Sequence, residues 1–360
     1  MGGIAKAFPG FFAAESENAC KKSFCVLHYG RSGAVARQAA ESFFLFGGRK
    51  RQRKLMWKTL IRPAMIFIPL GLGMFFPGAG KYGFLIRYLL MIMLFMVFLK
   101  LDFRELRFRR SHFLILGANL AVGVGAYLLC RAVAGEGPLA QAAFFTGITP
   151  TATAAAVVMG FLGGNVGYVI TAFVLTNVGM ALLLPGLLGW VCGDTSFSFM
   201  LRAGENLFFL LVIPAVAAAV VRKLHPAASA WPGRFATANF SLWSGCLFII
   251  AASASANFRA NPEISPWIIA ETALIALAIC VVNFSAGFFL GEKGLRHEAS
   301  QSLGQKNTTL TIYLALVYAG PLAAFGVISY VLWHNSYNAV QLFLVDRARA
   351  KAAVGDEGGK

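Results

Sequence analysis

Phe144-Phe-Thr-Gly-Ile-Thr-Pro-Thr-Ala-Thr-Ala-Ala-Ala-Val-Val158 decides how this chain reads. Apolar residues continue on both sides of it, so the stretch belongs to a membrane helix, yet Pro150 interrupts that helix near its middle. Proline donates no backbone hydrogen bond and disfavours a helical residue before it. The pattern therefore predicts a helix that stops and restarts at Pro150, with Thr149 capping the second half. A second interruption, Ser300-Gln-Ser-Leu-Gly-Gln-Lys-Asn-Thr-Thr309, places a polar run inside the apolar segment 299–318. In hydrocarbon a broken helix is tolerated only where it lines a buried or watery cavity. Both breaks point at a site.

The 360 residues are 58% hydrophobic and 13% charged, with a mean hydropathy of +0.67. That is more apolar material than a water-soluble domain buries, and lipid must be part of the solvent. A helix needs about 20 apolar residues to cross a bilayer core of roughly 30 Å. Stretches of that kind are read at 60–80, 84–100, 112–134, 138–162, 166–190, 204–224, 235–257, 265–290, 299–318 and 321–343. They are long apolar runs, which excludes a barrel of short alternating strands. The expected fold is an all-α membrane protein of ten transmembrane helices. Its broken helices, 4 and 9, are an odd number of spans apart, so two five-helix repeats would be inverted relative to each other. Phe67-Ile-Pro-Leu70 and Val212-Ile-Pro-Ala215 echo one another at matching places in the two halves.

The formal charge of +17 comes without any helix-turn-helix, RNA-binding or zinc-finger pattern, which excludes nucleic acid as a partner. Membrane topology explains it. Arg49 to Lys54, Lys58 and Arg62, then Lys100 to Arg110, Arg222, Lys223 and Arg234, Lys293 and Arg296, and finally Arg347, Arg349, Lys351 and Lys360 fall on one side. Only Lys81, Arg87, Arg131, Arg202 and Arg259 fall on the other. By the positive-inside rule both termini are expected in the cytoplasm, for a protein of the inner or plasma membrane. Residues 1–55 read as a basic, weakly patterned extension that carries no secretory signal, and 346–360 as a cytoplasmic tail after a transporter domain over 56–345. Cys20, Cys25 and His28 lie close together, but no second ligand pair completes a metal site.

Lys306 is the one basic residue placed deep in the membrane, where a charge costs at least about 2.5 kcal/mol and marks function by default. The plainer alternatives are that it caps carbonyls opened by the break or snorkels to an interface. Gln305, Asn307, Thr308 and Thr309 stand beside it in span 9, and Thr149, Thr151 and Thr153 in span 4. Half-helix N-termini offer free amide donors and a partial positive charge, which suit a carboxylate, sulfonate or phosphate. Thr149, Thr151, Thr153, Asn307, Thr308 and Asn335 are the substrate-binding candidates, Lys306, Gln305 and Asn119 the coupling candidates, and Pro150 and Gly304 the hinges.

These segments resemble the bile acid:sodium symporter family. Pro150-Thr-Ala-Thr-Ala-Ala-Ala156 with Gly164-Asn165, Ser302-Leu-Gly-Gln-Lys-Asn307 and Trp333-His-Asn335 stand where that family carries its motifs, and Leu94-Phe-Met-Val-Phe-Leu-Lys-Leu101 is also similar. The resemblance covers about 60–343. It implies a panel of helices 1, 2, 6 and 7 and a core of helices 3–5 and 8–10, with helices 4 and 9 crossing at their breaks. It also implies uptake of an organic anion by alternating access, with Thr153, Asn307 and Asn335 facing the substrate. The chain departs from the family where sodium ligands are expected: it has Ala155, Ala156, Val169, Phe173, Ser302 and Lys306 there. Hard cations want a cage of oxygens, which methyl groups, a phenyl ring and an ammonium do not provide. Sodium is therefore not expected, and Lys306 is read as its tethered replacement, an amine that would also permit proton coupling.

The sequence thus points to a secondary transporter of a small or amphipathic organic anion, lodged in a lipid bilayer and needing no cofactor. The alternatives are a sodium-coupled symporter of the same family and a membrane channel or sensor. A cation/proton antiporter would carry an acidic residue at the crossing, and an arsenite permease a cysteine in span 4. An enzyme is not expected, because no metal motif, Ser/His/Asp set or carboxylate pair converges on the midplane. Substrate identity, direction of flux and oligomeric state are not written in these residues.

Overall fold

The computed structural model describes residues 68–101, 106–260 and 265–357. Within these the chain is helical throughout, apart from an isolated antiparallel bridge between Thr151 and Lys306. Helix α1 is described over 68–75 and leads into a 3-10 turn, Pro77–Tyr82. It is followed by α2 (Leu85–Lys100), α3 (Arg110–Ala134), α4 (Pro138–Ile148), α5 (Ala154–Leu162), α6 (Val166–Cys192) and α7 (Phe197–Leu224). The short α8 (Trp231–Arg234) leads to α9 (Ala236–Ala260), α10 (Pro266–Leu290), α11 (Arg296–Gly304), α12 (Thr308–Tyr318) and α13 (Pro321–Glu357). The N-terminal extension, with Cys20, Cys25 and His28, lies outside the described residues. The segment expected as a separate tail continues α13 as far as Glu357.

Local chemistry sets the boundaries. Pro138, Pro266 and Pro321 occupy first turns, where a missing amide proton has no partner to lose. Asn165, Ser196 and Ser265 cap α6, α7 and α10 by accepting from the amides of Tyr168, Phe199 and Trp267. Among the described residues five helices are long and apolar enough to cross a membrane: Arg110–Ala134, Val166–Cys192, Phe197–Leu224, Thr237–Ala260 and Trp267–Leu290. Large apolar side chains such as Phe75, Val133, Leu182, Trp267 and Phe289 lie mostly exposed on the outside. Exposed apolar surface on that scale is the exterior of a protein solvated by lipid.

Helices α4, α5, α11 and α12 are each nine or eleven residues long, well short of the about 20 needed to span alone. They are the halves of two interrupted units. The first break differs from expectation. Thr149 ends α4, with its hydroxyl donating to the Phe145 carbonyl at 2.7 Å, and the second half starts at Ala154 behind Thr153. Pro150 does not start a helix because its neighbours pair across the molecule instead. Ala152 N donates to Gln305 O at 2.8 Å, and Asn307 N donates to Pro150 O at 2.7 Å. Two reciprocal main-chain bonds thus tie the breaks together. In each unit an eleven-residue half lies on one side of the break and a nine-residue half on the other.

Two groups of neighbouring helices carry much of the packing, and they meet where α6 packs against α7. Helix α2 packs against α7 and α9, and α9 against the turn at Pro77–Tyr82. Helix α3 packs against α4 and α6, while α10 and α13 pack against each other and around α4, α11 and α12. At one end, Arg109 and Ser111 bind Glu292, Tyr168 OH donates to Ser111, and Asn165 N donates to Glu298. We call this the basic end, since Lys100, Arg110, Arg222, Lys293 and Arg296 lie at the helix termini and loops there. At the opposite end a single apolar cluster includes Leu90, Phe144, Leu184, Leu207, Ile250, Leu310 and Val327, from both groups. Towards the basic end the buried clusters separate. Ile115, Ala155, Met159, Val169 and Leu303 form one, and Leu99, Ala218 and Ala228 another.

Candidate functional site

The site is built where the two breaks meet. A helix that stops leaves its last carbonyls without intrahelical donors, and Gly147 and Ile148 at the end of α4 are in that position. Asn119 from α3 supplies one donor, its Nδ2 lying 2.8 Å from Ile148 O. Lys306 from the other break supplies the second, its Nζ reaching Gly147 O at 3.4 Å. The same ammonium donates to Asn119 Oδ1, which closes a triangle of α3, α4 and the second break. Lys306 is 2% exposed. Among the described residues it has no carboxylate partner: the only two ion pairs are Arg109–Glu292 and Arg131–Glu136. Glu298, the acidic residue nearest in sequence, is instead taken by the Asn165 amide at 2.8 Å. A helix C-terminus carries partial negative charge, so the end of α4 is a fitting neighbour for an ammonium.

Close approach of α3 and α4 makes this geometry possible. A Cβ on Gly123 would lie 2.8 Å from Ile148 Cα, and one on Gly147 would lie 2.7 Å from Gly123 Cα. Only a pair of glycines lets the two backbones meet at this point.

Helix α6 holds the crossing from the other side. Thr151 N donates to Thr176 Oγ1 at 3.2 Å, and Asn177 Nδ2 donates to Thr151 O at 2.9 Å. Asn307 Nδ2 lies 3.4 Å from Asn177 Oδ1, and Thr151 Oγ1 donates to Ser302 O. Thr149, Thr151, Gln305 and Thr308 are therefore buried parts of the crossing itself. Thr153 and Asn307 are half-buried and stand at the N-termini of α5 and α12, and neither side chain caps its helix. Among the substrate candidates they are the two with accessible side chains next to half-helix amides. Gly304, at the end of α11, receives the Tyr330 hydroxyl on its carbonyl at 2.7 Å and lies against the Phe284 ring. Asn335 is not brought to the crossing by a hydrogen bond: its Nδ2 donates to Val331 O and to His334 Nε2 on its own helix.

Thr176 and Asn177 are the residues at the crossing that the sequence does not mark out as site candidates. Isolated polar residues in a long apolar helix carry no spacing signal, and their role follows only from facing Thr151 across the fold. Ala155, Val169 and Phe173 are buried and offer hydrocarbon, not oxygen, at their positions.

No family model matches this chain, and no curated protein matches it.

Proposed function

We propose that this chain is a secondary active transporter of an organic anion, working by alternating access, in which the ammonium of Lys306 takes the place of a bound sodium ion. The observation that carries the proposal is the meeting of two interrupted helices around one buried lysine that has no carboxylate partner. Interrupted helices in hydrocarbon are tolerated where protein buries them or a watery cavity meets them, and paired breaks of this kind are the best pointer to a midplane binding site. On this reading there are ten spans in two inverted five-span repeats, with α1, α2, α7 and α9 as the panel and α3–α6 with α10–α13 as the core. The anion would meet Thr153, Asn307 and the amides of α5 and α12, while Lys306 and Asn119 hold positive charge behind them. The basic end would face the cytoplasm. Packing that is shared between the two groups at one end and split at the other supports a molecule that opens to one side at a time.

The test is uptake into proteoliposomes of a labelled bile salt and, separately, of a short carboxylate. Saturable uptake with counterflow, unchanged when sodium is replaced by potassium and lost in Lys306→Gln, is the expected result. Uptake that rises steeply with a sodium gradient would overturn the role given to Lys306. Conductance without counterflow would replace the transporter by a channel.

A further inference from the structure

Between α10, α11 and α13 lies a second polar cluster, towards the basic end from Lys306. Tyr330, His334, Asn338 and Gln341 form a stripe along α13, and Gln301 and Gln305 face it from α11 and its end. Gln301 Nε2 donates to Asn338 Oδ1 and to Gln341 Oε1, and Asn338 Nδ2 donates to Gln305 Oε1. On α10, Asn283 Nδ2 donates to Tyr330 OH at 3.2 Å, and that hydroxyl donates to Gly304 O. Asn283, Gln301, Tyr330, His334 and Asn338 are all more than nine-tenths buried.

The network fixes the orientation of its own members. Asn338 gives its amide protons to Gln305, so its oxygen must receive from Gln301 Nε2, which leaves Gln301 Oε1 without a partner among the described residues. Tyr330 spends its proton on Gly304, so Asn283 must donate to it, which leaves Asn283 Oδ1 without a partner among the described residues. Asn335 Nδ2 donates to His334 Nε2, so the neutral imidazole carries its proton on Nδ1, and no described residue accepts it. Flipping any one amide to satisfy its orphan would break the bonds that orient it.

Buried polar groups are nearly always hydrogen-bonded, and where protein offers no partner water does so. Two orphan acceptors and one orphan donor in one cluster call for a species that both donates and accepts. A metal cation would leave the His334 donor unmet. It would also sit near the charge of Lys306 with no carboxylate to balance it, since Glu298 on α11 is turned to the Asn165 amide. The other titratable groups facing the cluster are Cys280 on α10 and Tyr330 and Tyr337 on α13, with Lys306 at the break. None of them is a carboxylate.

We infer that this cluster is a hydrated chamber, in which ordered water bound to Asn283, Gln301 and His334 links the surroundings of Lys306 to the surface at Tyr337 and Gln341. Tyr337 and Gln341 reach that surface and are bonded to each other, so the polar stripe runs to the outside of the protein towards the basic end. This deepens the proposal for Lys306, because such water gives its amine a route for proton exchange with one side of the membrane.

Radiolytic hydroxyl-radical footprinting of the full chain in detergent tests it, because radicals form from water held inside the protein and oxidise the side chains that touch it. Tyr330 and His334 should be oxidised, while Met159 and Met180, equally buried among apolar residues and chemically more reactive, should not. In Asn283→Leu/Gln301→Met the oxidation of Tyr330 and His334 should fall to the level of Met180, with thermal unfolding showing that the chain remains folded. Tyr330 and His334 as silent as Met180 in the unaltered chain would overturn the chamber and leave the transport proposal untouched. Oxidised Tyr330 and His334 in a protein that carries no anion would do the reverse.

Discussion

Asn119 is the residue on which the crossing turns, because one side chain satisfies a carbonyl of one broken helix and the ammonium of the other. A hydrogen bond to a charged group contributes ~1.5–3 kcal/mol, and a buried charge left unpaired costs more than the bond itself was worth. Asn119→Leu should therefore destabilise the protein by roughly that ~1.5–3 kcal/mol. Lys306→Met in the same background should recover part of the loss, since it removes the stranded charge. Thermal unfolding of the two single variants and the double variant measures the coupling, and simple additivity would show that the two side chains do not depend on each other. Lys306 was legible in the sequence because a lysine inside an apolar stretch is conspicuous. Asn119 is named beside it as a coupling candidate, but Thr176 and Asn177 are not singled out, since asparagine and threonine in long apolar helices are common packing residues and nothing local says which face meets a break.

Elements report where helices touch, and glycine is the sensitive probe. A Cβ on Gly123 meets the backbone of Ile148, whereas Gly117 and Gly125 on the same helix have nothing within 4 Å. Gly123→Val should push α3 from α4 and cost ~1–3 kcal/mol by overpacking, with loss of uptake because Asn119 and Lys306 lose their carbonyls. Gly117→Ala and Gly125→Ala should be neutral or stabilise the helix by about 0.5–1 kcal/mol. If all three substitutions shift the melting temperature alike, the close approach is not there. At the basic end a different tie joins the start of α3 to the loop between α10 and α11. The Arg109 guanidinium, helped by Ser111, holds the Glu292 carboxyl below the usual carboxylate range. A carboxyl whose folded pKa is depressed stabilises the fold above its ordinary value of 4.5, and that contribution fades as pH falls through the lowered one. Glu292→Gln should therefore lower the melting temperature at pH 7 and make little difference in acid, and the difference should shrink in high salt because the pair is exposed. Helix ends were the legible part of these elements, since proline at first turns and Asn or Ser at caps act locally. The start of α5 was misplaced because pairing between Ala152 and Gln305, distant in sequence, competes with a helix restarting at Pro150.

The whole molecule is asymmetric in a way that no single segment discloses. Near the end opposite the basic loops, side chains of both helix groups interlock in one cluster, and Asn206 on α7 is joined to α12 by the Tyr313 and Tyr318 hydroxyls, each at 3.2 Å. Phe258 on α9 also meets the ring of Phe325 on α13 there. Towards the basic end, among the described residues, the buried clusters are separate ones in the two groups. On the alternating-access proposal, two groups that share a cluster at one end and not at the other would open a path towards the breaks from the basic end. Thr153, half-buried at the start of α5, should lie on that path, while Ile86, buried within the shared cluster, should not. With the native cysteines replaced, Thr153→Cys should react with a membrane-impermeant thiol reagent added on the basic-loop side and resist it on the other, and Ile86→Cys should resist both. Removing the clasp with Asn206→Ala and Tyr313→Phe should shift the population: labelling of Thr153→Cys from the basic side slows, and labelling of Ile86→Cys from the opposite side appears. Equal labelling of Thr153→Cys from both sides would mean an open pore, and with it the alternating-access reading would fall.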